Sequence, residues 1–578
     1  MALIFPKTYV NNLVTGAIKK FSKDQNFTAD ATTLPFSIEF KDNPVFGDCS
    51  CNAAFGLSKI FKQSPNQIAQ SLKALIEAEL PSDIEKIEIA GGGFLNFYFT
   101  HQYYSDALKS LSKINQKDFF EGKKQKIIVE YSSPNVAKPM HVGLLRNTIL
   151  GNALANLYEF LGYKVIRWNH IGDWGTQFGK LIAAYKKWGD KKKIEQNPIN
   201  ELLALYIRFH KEMEHNPEIE KEGQAEFKKL EEGDKENSKL LKWFLKESLE
   251  EFNRLYKLLD ITKFDKEIGE SFYSPMLPKL IEEFKRNKLL EQSEGAWIIR
   301  LEAFGLPPAL IQKSDGATLY MTREIASLKY RISKYNPEKI FYVVGNEQAL
   351  YFQQLLAIAR LLGIKSSLLE HVKYELILGP DGKKFSTREG DMITAQEVID
   401  KVVEAAQKSV DQKRPDIPKK ERDKIALAVG VNALKYFMLK ESRMTDIVFD
   451  VKGILAFNGN SGPYLNYTYA RLSKILSKAG RISKADTSLL ERSDLDLIKK
   501  LLEFEDAIYR TKSDSSPHHL CDYLFDLANK ASSFYEAFPI LSDQNAGRKN
   551  ARLLLIKEVG RILEMGLGIL GIKTLERI

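Results

Sequence analysis

The sequence predicts a multidomain α/β protein: a parallel-sheet core carrying a helical insertion, a small α+β unit before it and an all-helical bundle after it. Three observations carry the prediction. The chain has 578 residues, and single hydrophobic cores rarely exceed about 250–300 residues. A β-branched run near residue 126 leads into helical spacing and then a second strand-like run, the pattern of a βαβ unit. Beyond about Phe457 the apolar periodicity is helical to the end.

The βαβ unit organises the chain. Lys126–Val129 (KIIV) reads as a strand, and Leu145, Ile149, Ala153, Leu157 and Leu161 mark one face of a helix that Gly162 closes. Lys164–Trp168 (KVIRW) reads as the next strand. The loop between strand and helix ends in Lys138, His141 and Gly143. A helix start offers unpaired N–H groups and partial positive charge, so it suits phosphate. His141 can donate to a phosphate oxygen, and Gly143 lets a nucleotide approach the backbone. On these residues alone, an ordinary strand-to-helix turn with a surface histidine fits equally well.

Residues 1–121 read as an α+β unit: FSIEF alternates like a strand, two stretches have helical spacing, and KIEIAGGGFLNFYF forms two strands about a glycine turn. The core is expected over 122–456, interrupted at about 186–263 by charged helices with a Leu241, Leu245, Leu249, Phe252, Leu255, Leu259 stripe. These helices are expected to flank the sheet without chemistry. Strands follow at KIFYVVG (339–345) and KYELIL (373–378), with a helix between them over 347–362. The loop GPDGKKFSTREGD (379–391) gathers basic and hydroxyl side chains at a strand's carboxyl end, where open α/β sheets bind ligands. Taken alone, it also fits a solvated charge run. Thr394 and Glu397 form a capping box for the next helix. In residues 457–578, Tyr464, Tyr467 and Tyr469 interleave with Arg471, Lys474, Lys478 and Arg481. Such a surface can stack unpaired bases and meet phosphates, although tyrosines at this spacing also serve core packing.

Composition narrows the class. A formal net charge of +10 and a pI near 9.0 favour a polyanionic partner. Cys49, Cys51 and Cys521 supply neither a disulfide framework nor a CxxC pair, so free thiols are expected and no metal site. No signal peptide and no membrane span is read. The expectation is a cytoplasmic monomer with no membrane partner.

Longer strings add a resemblance. SSPNVAKPMHVGLLRNTILGN is similar to the first signature of class I aminoacyl-tRNA synthetases, and its SPN and AKP context resembles the arginyl-tRNA synthetase family. NHIGDWGTQFGKL, DGATLYMTREIA, GPDGKKFSTREGD and NGNSGPYLNYTYARL match that family in order, and the similarity covers essentially the whole chain. The resemblance implies a Rossmann-type catalytic core, an N-terminal unit that touches tRNA and a C-terminal anticodon-binding bundle. It implies an arginine–tRNA ligase that uses ATP with Mg²⁺, L-arginine and tRNA(Arg).

By the same resemblance Lys138, His141 and Lys384 are the catalytic residues. ATP falls to His141, Gly143, Lys384, Phe385 and Ser386. Arginine falls to Ser133, Asn135, Tyr320, Glu324 and Gln348, with Glu130 added from its place at the strand end. Tyr464, Tyr467 and Arg471 fall on tRNA. A carboxylate and a phenol one helical turn apart, as Tyr320 and Glu324 are, can grip a guanidinium fork. Two positions depart from the family pattern. Glu324 replaces the usual aspartate, and Leu144 replaces the second histidine of HxGH, with Lys138 as the candidate substitute donor. Leu144 motivates a rival reading, a catalytically impaired tRNA-binding paralogue. A small nucleotidyltransferase of the same superfamily is a further rival, disfavoured by chain length.

Overall fold

The computed structural model describes residues 5–27, 36–41, 43–313, 319–385 and 393–576. Four strands, β1 (Ile38–Phe40), β2 (Cys49–Cys51), β3 (Ile84–Ala90) and β4 (Phe94–Phe99), form an antiparallel sheet in the order β1-β2-β4-β3. The β3–β4 turn is the predicted glycine run, with Gly91 and Gly93 at φ of 55° and 138°. Helices Pro6–Asp24 and Pro65–Glu77 pack together beside it, the latter started by a Ser64–Gln67 capping box with proline at its first position.

The core sheet contains β5 (Lys126–Glu130), β6 (Lys164–Ile171) and β7 (Lys266–Gly269). A small antiparallel sheet of β8 (Glu291–Ser293), β9 (Ala296–Ile299) and β10 (Ala309–Gln312) follows, and the core resumes with β11 (Lys339–Gly345) and β12 (Leu369–Tyr374). The core order is β12-β11-β5-β6-β7, and every neighbouring pair is parallel. From β5 the chain crosses to β6 on one side, while β11 pairs on the other. The carboxyl ends of β5 and β11 therefore flank a topological switch point, the crevice in which such sheets bind ligands.

Helix Val142–Phe160, which leaves β5, is buried on almost every side. Its predicted face is fully inside, and so are Arg146, Asn147, Thr148 and Asn152 opposite. These polar groups are paired, as burial requires. Asn147 receives the Ser132 N–H at 2.5 Å and donates to the Val343 carbonyl at 2.5 Å. The Arg146 guanidinium donates to the carbonyls of Glu375, Leu376, Ser442 and Thr445 at 2.5–3.4 Å.

The expected strand 373–378 is not continuous. β12 starts earlier, at Leu369, and ends at Tyr374; β13 (Ile377–Leu378) pairs instead with β14 (Ile447–Val448). The break lies where Arg146 takes the Glu375 and Leu376 carbonyls, an interaction that no local sequence pattern records.

The insertion is helical, as expected, although its helices already begin at Thr176. Leu241, Phe252, Leu255 and Leu259 of the predicted stripe are buried; Leu245 and Leu249 are partly so. After Phe457 the chain is helical: Gly462–Ala479, Arg492–Leu502, Phe504–Ser513, His518–Ala537 and Ala546–Ile569. Ala546–Ile569 packs on both Gly462–Ala479 and Val142–Phe160. One continuous apolar cluster thus joins all three regions. All three cysteines are buried and free. No described helix is long and apolar enough to cross a membrane.

Gly151 sets the contact of the switch-point helix with the β5 loop. A Cβ there would lie 2.2 Å from Tyr131 Cβ and 2.3 Å from its Cγ. Gly151→Ala should therefore cost about 1–3 kcal/mol and lower the melting temperature. An unchanged melt would mean that helix and loop can slide apart without penalty.

Candidate active site

The loop leaving β5 is strained. Ser132, Ser133 and Ala137 hold φ of 69°, 51° and 63°, values that non-glycine residues keep only when their surroundings enforce them. The surroundings are on hand. Ser133 N–H donates to Asn169 Oδ1 at 3.0 Å, Ala137 N–H to Ser248 Oγ at 3.1 Å, and the Ser132 hydroxyl meets Tyr256 Oη at 2.7 Å. Gly172 N–H bonds the Pro134 carbonyl, and Val136 N–H bonds the Gly172 carbonyl. The SPN and NHIGDW stretches are thus zipped together. Asn135 is exposed at the rim; Ser133 Oγ is buried with no hydrogen-bond partner.

His141 caps helix Val142–Phe160. Its Nδ1 accepts the Leu144 N–H at 3.3 Å, which leaves Nε2 to carry the proton of the neutral ring. Burial and then the charge of Lys384 lower its pKa, so a neutral, donating ring is favoured. A Cβ at Gly143 would lie 3.0 Å from His141 Nδ1 and Cε1, so glycine gives this ring its seat. Leu144 is half-buried and packs on the core through its side chain.

The second signature meets the first. His141 bridges Thr394, the Val142 N–H donates to the Ile393 carbonyl at 3.0 Å, and the Ala395 N–H donates to the Met140 carbonyl at 2.7 Å. Between β13 and this junction the chain turns tightly, with Gly382 at φ 72° and the Gly379 N–H on the Lys383 carbonyl at 2.7 Å. Phe385 is buried, its ring 4.9 Å from that of Phe449, while Lys384 is exposed. Ser386 lies outside the described residues. The Thr394–Glu397 capping box is formed.

Lys138 does not join this group. It is exposed, its ammonium lies 5.6 Å from the Tyr206 ring of the insertion, and its charge is felt by His210. The charges felt by His141 are those of Lys384 and Glu347. The ammonium lies within cation–π range of that ring, and the insertion, expected to be inert, supplies it.

Deeper in the switch point lies a buried polar cluster. Glu130, the last residue of β5, is buried and ion-paired with fully buried Arg331 of helix Tyr320–Tyr335. Glu324, one face of that helix nearer its start, is 8% exposed, and its Oε1 has no hydrogen-bond partner. The Tyr342 hydroxyl sits beside it. Burial and then the Glu130 charge raise Glu324 to about 7, against the pull of Arg331.

Tyr320, the expected partner of Glu324, is 54% exposed at the helix start. Gln348 is exposed at the end of a short turn after β11. Both are nearer the rim than Glu324.

Sequence reasoning missed Glu270. It follows β7 directly, and its Oε2 is buried and unpaired. Burial raises its pKa to about 8; Arg323 opposes, and Asp173 and Glu324 add to the rise. Buried Asp173 accepts the Ser271 N–H at 2.9 Å and the Ser271 hydroxyl at 2.6 Å, which fixes the turn that presents Glu270. Tyr351 feels Glu324, Glu270, Tyr342 and Glu130 together, so its phenol faces the same space. No local signal marks Glu270, because Lys266–Gly269 (KEIG) is too short and polar to read as a strand. Two carboxyl groups with unsatisfied buried oxygens thus lie within electrostatic reach of one another, and the burial that raises both would be offset by a charged partner.

At the edge of the bundle, Tyr467, Arg471, Lys474, Lys478 and Glu576, with Arg414 from the preceding region, line a groove of about 1040 Å³. Arg471 lies over the Tyr535 ring at 4.3 Å. Tyr464 is turned inward: its hydroxyl bonds Ser532 at 3.2 Å and its ring packs on Phe525.

Comparison with known proteins agrees with this geometry. Residues 107–451 match the class I tRNA synthetase (R) catalytic domain, 465–578 the DALR anticodon binding domain, and 8–99 the arginyl tRNA synthetase N-terminal domain. The arginine–tRNA ligase of Halothermothrix orenii is 41% identical over 550 residues, covering 94% of this chain and 95% of its own. That of Clostridioides difficile is 40% identical, covering 99% of each. The crystal structure of Plasmodium falciparum arginyl-tRNA synthetase superposes with a TM-score of 0.84 at 26% identity, covering 100% of both chains. The arginyl-tRNA synthetase structure from Thermus thermophilus gives 0.83 at 25%, covering 99% of this chain and 100% of its own. Sheet topology, signature loops and these likenesses converge: the chain belongs to the arginyl-tRNA synthetase family of class I aminoacyl-tRNA synthetases.

Proposed function

We propose that the switch point activates L-arginine with ATP and passes it to tRNA(Arg), and that residues 1–121, 122–456 and 457–578 divide the work as tRNA contact, catalysis and anticodon binding. The observation that carries the reading is the pairing at one crevice of a phosphate-suited end, His141 with Lys384, and a cation-suited end, Glu324 with Glu270. A molecule with a guanidinium at one end and a carboxylate at the other spans these two ends beside ATP.

The arginine carboxylate attacks the α-phosphorus, an O–P bond forms, and pyrophosphate leaves. The nucleophile is already an anion, so the protein has to position it and neutralise charge on phosphorus. His141 donates through Nε2 to a phosphate oxygen, and Lys384 meets the developing charge, with Gly143, Phe385 and Ser386 shaping the nucleotide seat. Mg²⁺ carried by ATP would supply a counter-charge to the phosphates. Glu324 and Glu270 take the guanidinium fork, with Tyr320, Tyr351 and Gln348 nearer the rim, Ser133 and Asn135 toward the α-carbon, and Glu130 beneath the arginine site, held by Arg331. A hydroxyl of the 3′-terminal adenosine then attacks the adenylate carbonyl, and AMP leaves. Lys138 is free to swing from Tyr206 once polyphosphate is bound. Tyr467 and Arg471 meet the tRNA in the bundle groove, and Tyr464 supports them from below. The buried free thiols fit a reducing cytoplasm, and an apolar cluster shared by all three regions fits a chain that packs on itself as a monomer.

Arginine-dependent ATP–pyrophosphate exchange, with and without tRNA(Arg), tests the reading; no exchange under either condition would favour the impaired paralogue that Leu144 suggests. Lys384→Ala should lower kcat at least about tenfold, roughly 1.4 kcal/mol, with arginine KM nearly constant; an unchanged rate removes Lys384 from the chemistry. Glu324→Gln should raise arginine KM roughly ten- to a hundredfold, the about 1.5–3 kcal/mol of a charged hydrogen bond. In the unsubstituted enzyme the Glu324 carboxylate is lost as pH falls through about 7, so kcat/KM for arginine should drop on the acid side. A flat profile would mean that Glu324 does not hold the substrate. Tyr467→Ala should weaken tRNA(Arg) binding by about 1–3 kcal/mol and leave tRNA-independent arginine binding intact; equal affinity for both proteins would clear the groove of this role.

A further inference from the structure

The cluster beneath the pocket already contains a guanidinium. Glu130 on β5 pairs in register with Trp168 of β6 and Tyr342 of β11, so the three side chains form a row across three strands. Arg331 closes that row: it is ion-paired with Glu130, and its guanidinium carbon lies 4.6 Å from the Trp168 ring and 5.4 Å from the Tyr342 ring. Its Nη2 is also 3.5 Å from His170 Nδ1. Arg331 and Glu324 are two helical turns apart on the face of helix Tyr320–Tyr335 that meets the sheet.

The arrangement is costly as a stabilising device. Arg331 is fully buried, and its Nε and Nη1 have no hydrogen-bond partner. Buried ion pairs often contribute nothing over an apolar replacement of similar volume, and buried unpaired donors cost about 1–3 kcal/mol. What the guanidinium does achieve is electrical. Without it the Glu130 and Glu324 carboxylates would share a dry site, and two such groups cannot both stay ionised near neutral pH.

We propose that Arg331 is a positioning residue for arginine selection: it occupies the Glu130 carboxylate from below, so that Glu130 neither captures the incoming guanidinium nor neutralises Glu324. The substrate's fork is then directed to Glu324 and Glu270, while Glu130 stays locked in the row. The inference rests on the assignment of this pocket to arginine. The groups facing the pair are Glu324 on the same helix, Tyr342 on β11, His170 on β6, Tyr273 and Glu270 after β7, and Tyr351 after β11. Arg331 is the one cation that Glu324 feels directly among them.

The test compares Arg331→Met and Arg331→Lys with the unsubstituted protein in arginine-dependent exchange at saturating ATP and tRNA, across pH 6–9. For Arg331→Met the expected result is a fall of about fivefold or more in kcat/KM for arginine at pH 7. Its acid limb should move up by about one pH unit, since loss of a neighbouring cation raises a carboxylate's pKa by about that much or more. Arg331→Lys keeps the charge and should hold the limb near its original pH while losing part of the rate. A merely structural role would lower the rate of both variants and leave the limb unmoved, which overturns the proposal, as does an unchanged Arg331→Met enzyme. If Arg331→Met does not fold, a cycle of Arg331→Lys with Glu130→Gln decides. The proposal requires the two losses to be non-additive, the double variant no worse than Glu130→Gln, and additive losses overturn it. Glu324→Gln, run alongside, separates the two readings: an arginine KM that does not respond to it fails the pocket, whereas a response there without one at Arg331 fails only this inference.

Discussion

Everything in the site depends on β5 lying between β6 and β11. That pairing brings Glu130, Trp168 and Tyr342 into one row and sends the two adjoining chains apart, opening a crevice at their carboxyl ends. The crevice is polar at its mouth and dry at its floor. At the mouth, exposed Lys384 and the capping His141 lie where the two signature loops are joined by backbone hydrogen bonds. On the floor, carboxylates are held in excess of the cations that face them. One fold element therefore sets out two opposite electrostatic environments a short distance apart, as a reaction between an anion and a polyphosphate on one substrate end and a guanidinium on the other requires.

The supports are mostly polar and mostly non-local. Asn147 and Arg146 reach from the switch-point helix to carbonyls 196 and 229 residues away in the chain. Asn169, Ser248 and Tyr256 hold three left-handed residues in the β5 loop. Each of these groups is buried and would be expensive to leave unpaired. The strained loop is thus kept in shape by neighbours from two separate stretches, β6 and one helix of the insertion. The insertion shapes the site by this route and through the Tyr206 contact with Lys138.

How much of this was legible in the sequence varies with the range of the interaction. The βαβ unit, the helix closed by Gly162, the capping box at Thr394 and the helical C-terminal region rest on local spacing, and all were readable. The break at Glu375 was not, because the groups that bond the backbone there, Arg146, Arg443 and Asp446, come from distant stretches. The signature residues His141, Gly143 and Lys384 could be named because the motif is local. Glu270 and Arg331 could not, because a carboxylate after a strand and an arginine in an amphipathic helix look like solvated surface until the tertiary fold buries them. Lys138 and Tyr464 could be named but not aimed: side-chain direction follows from an aromatic ring on another helix in both cases.

The account as a whole requires one molecule to bridge the two ends of the crevice. A crystal structure with a non-hydrolysable arginyl-adenylate analogue measures this directly. It should show the phosphate mimic between His141 and Lys384 and the guanidinium on Glu324 and Glu270, with Arg331 still on Glu130. An analogue whose guanidinium lies on Glu130, or whose phosphate mimic lies away from His141, would contradict it.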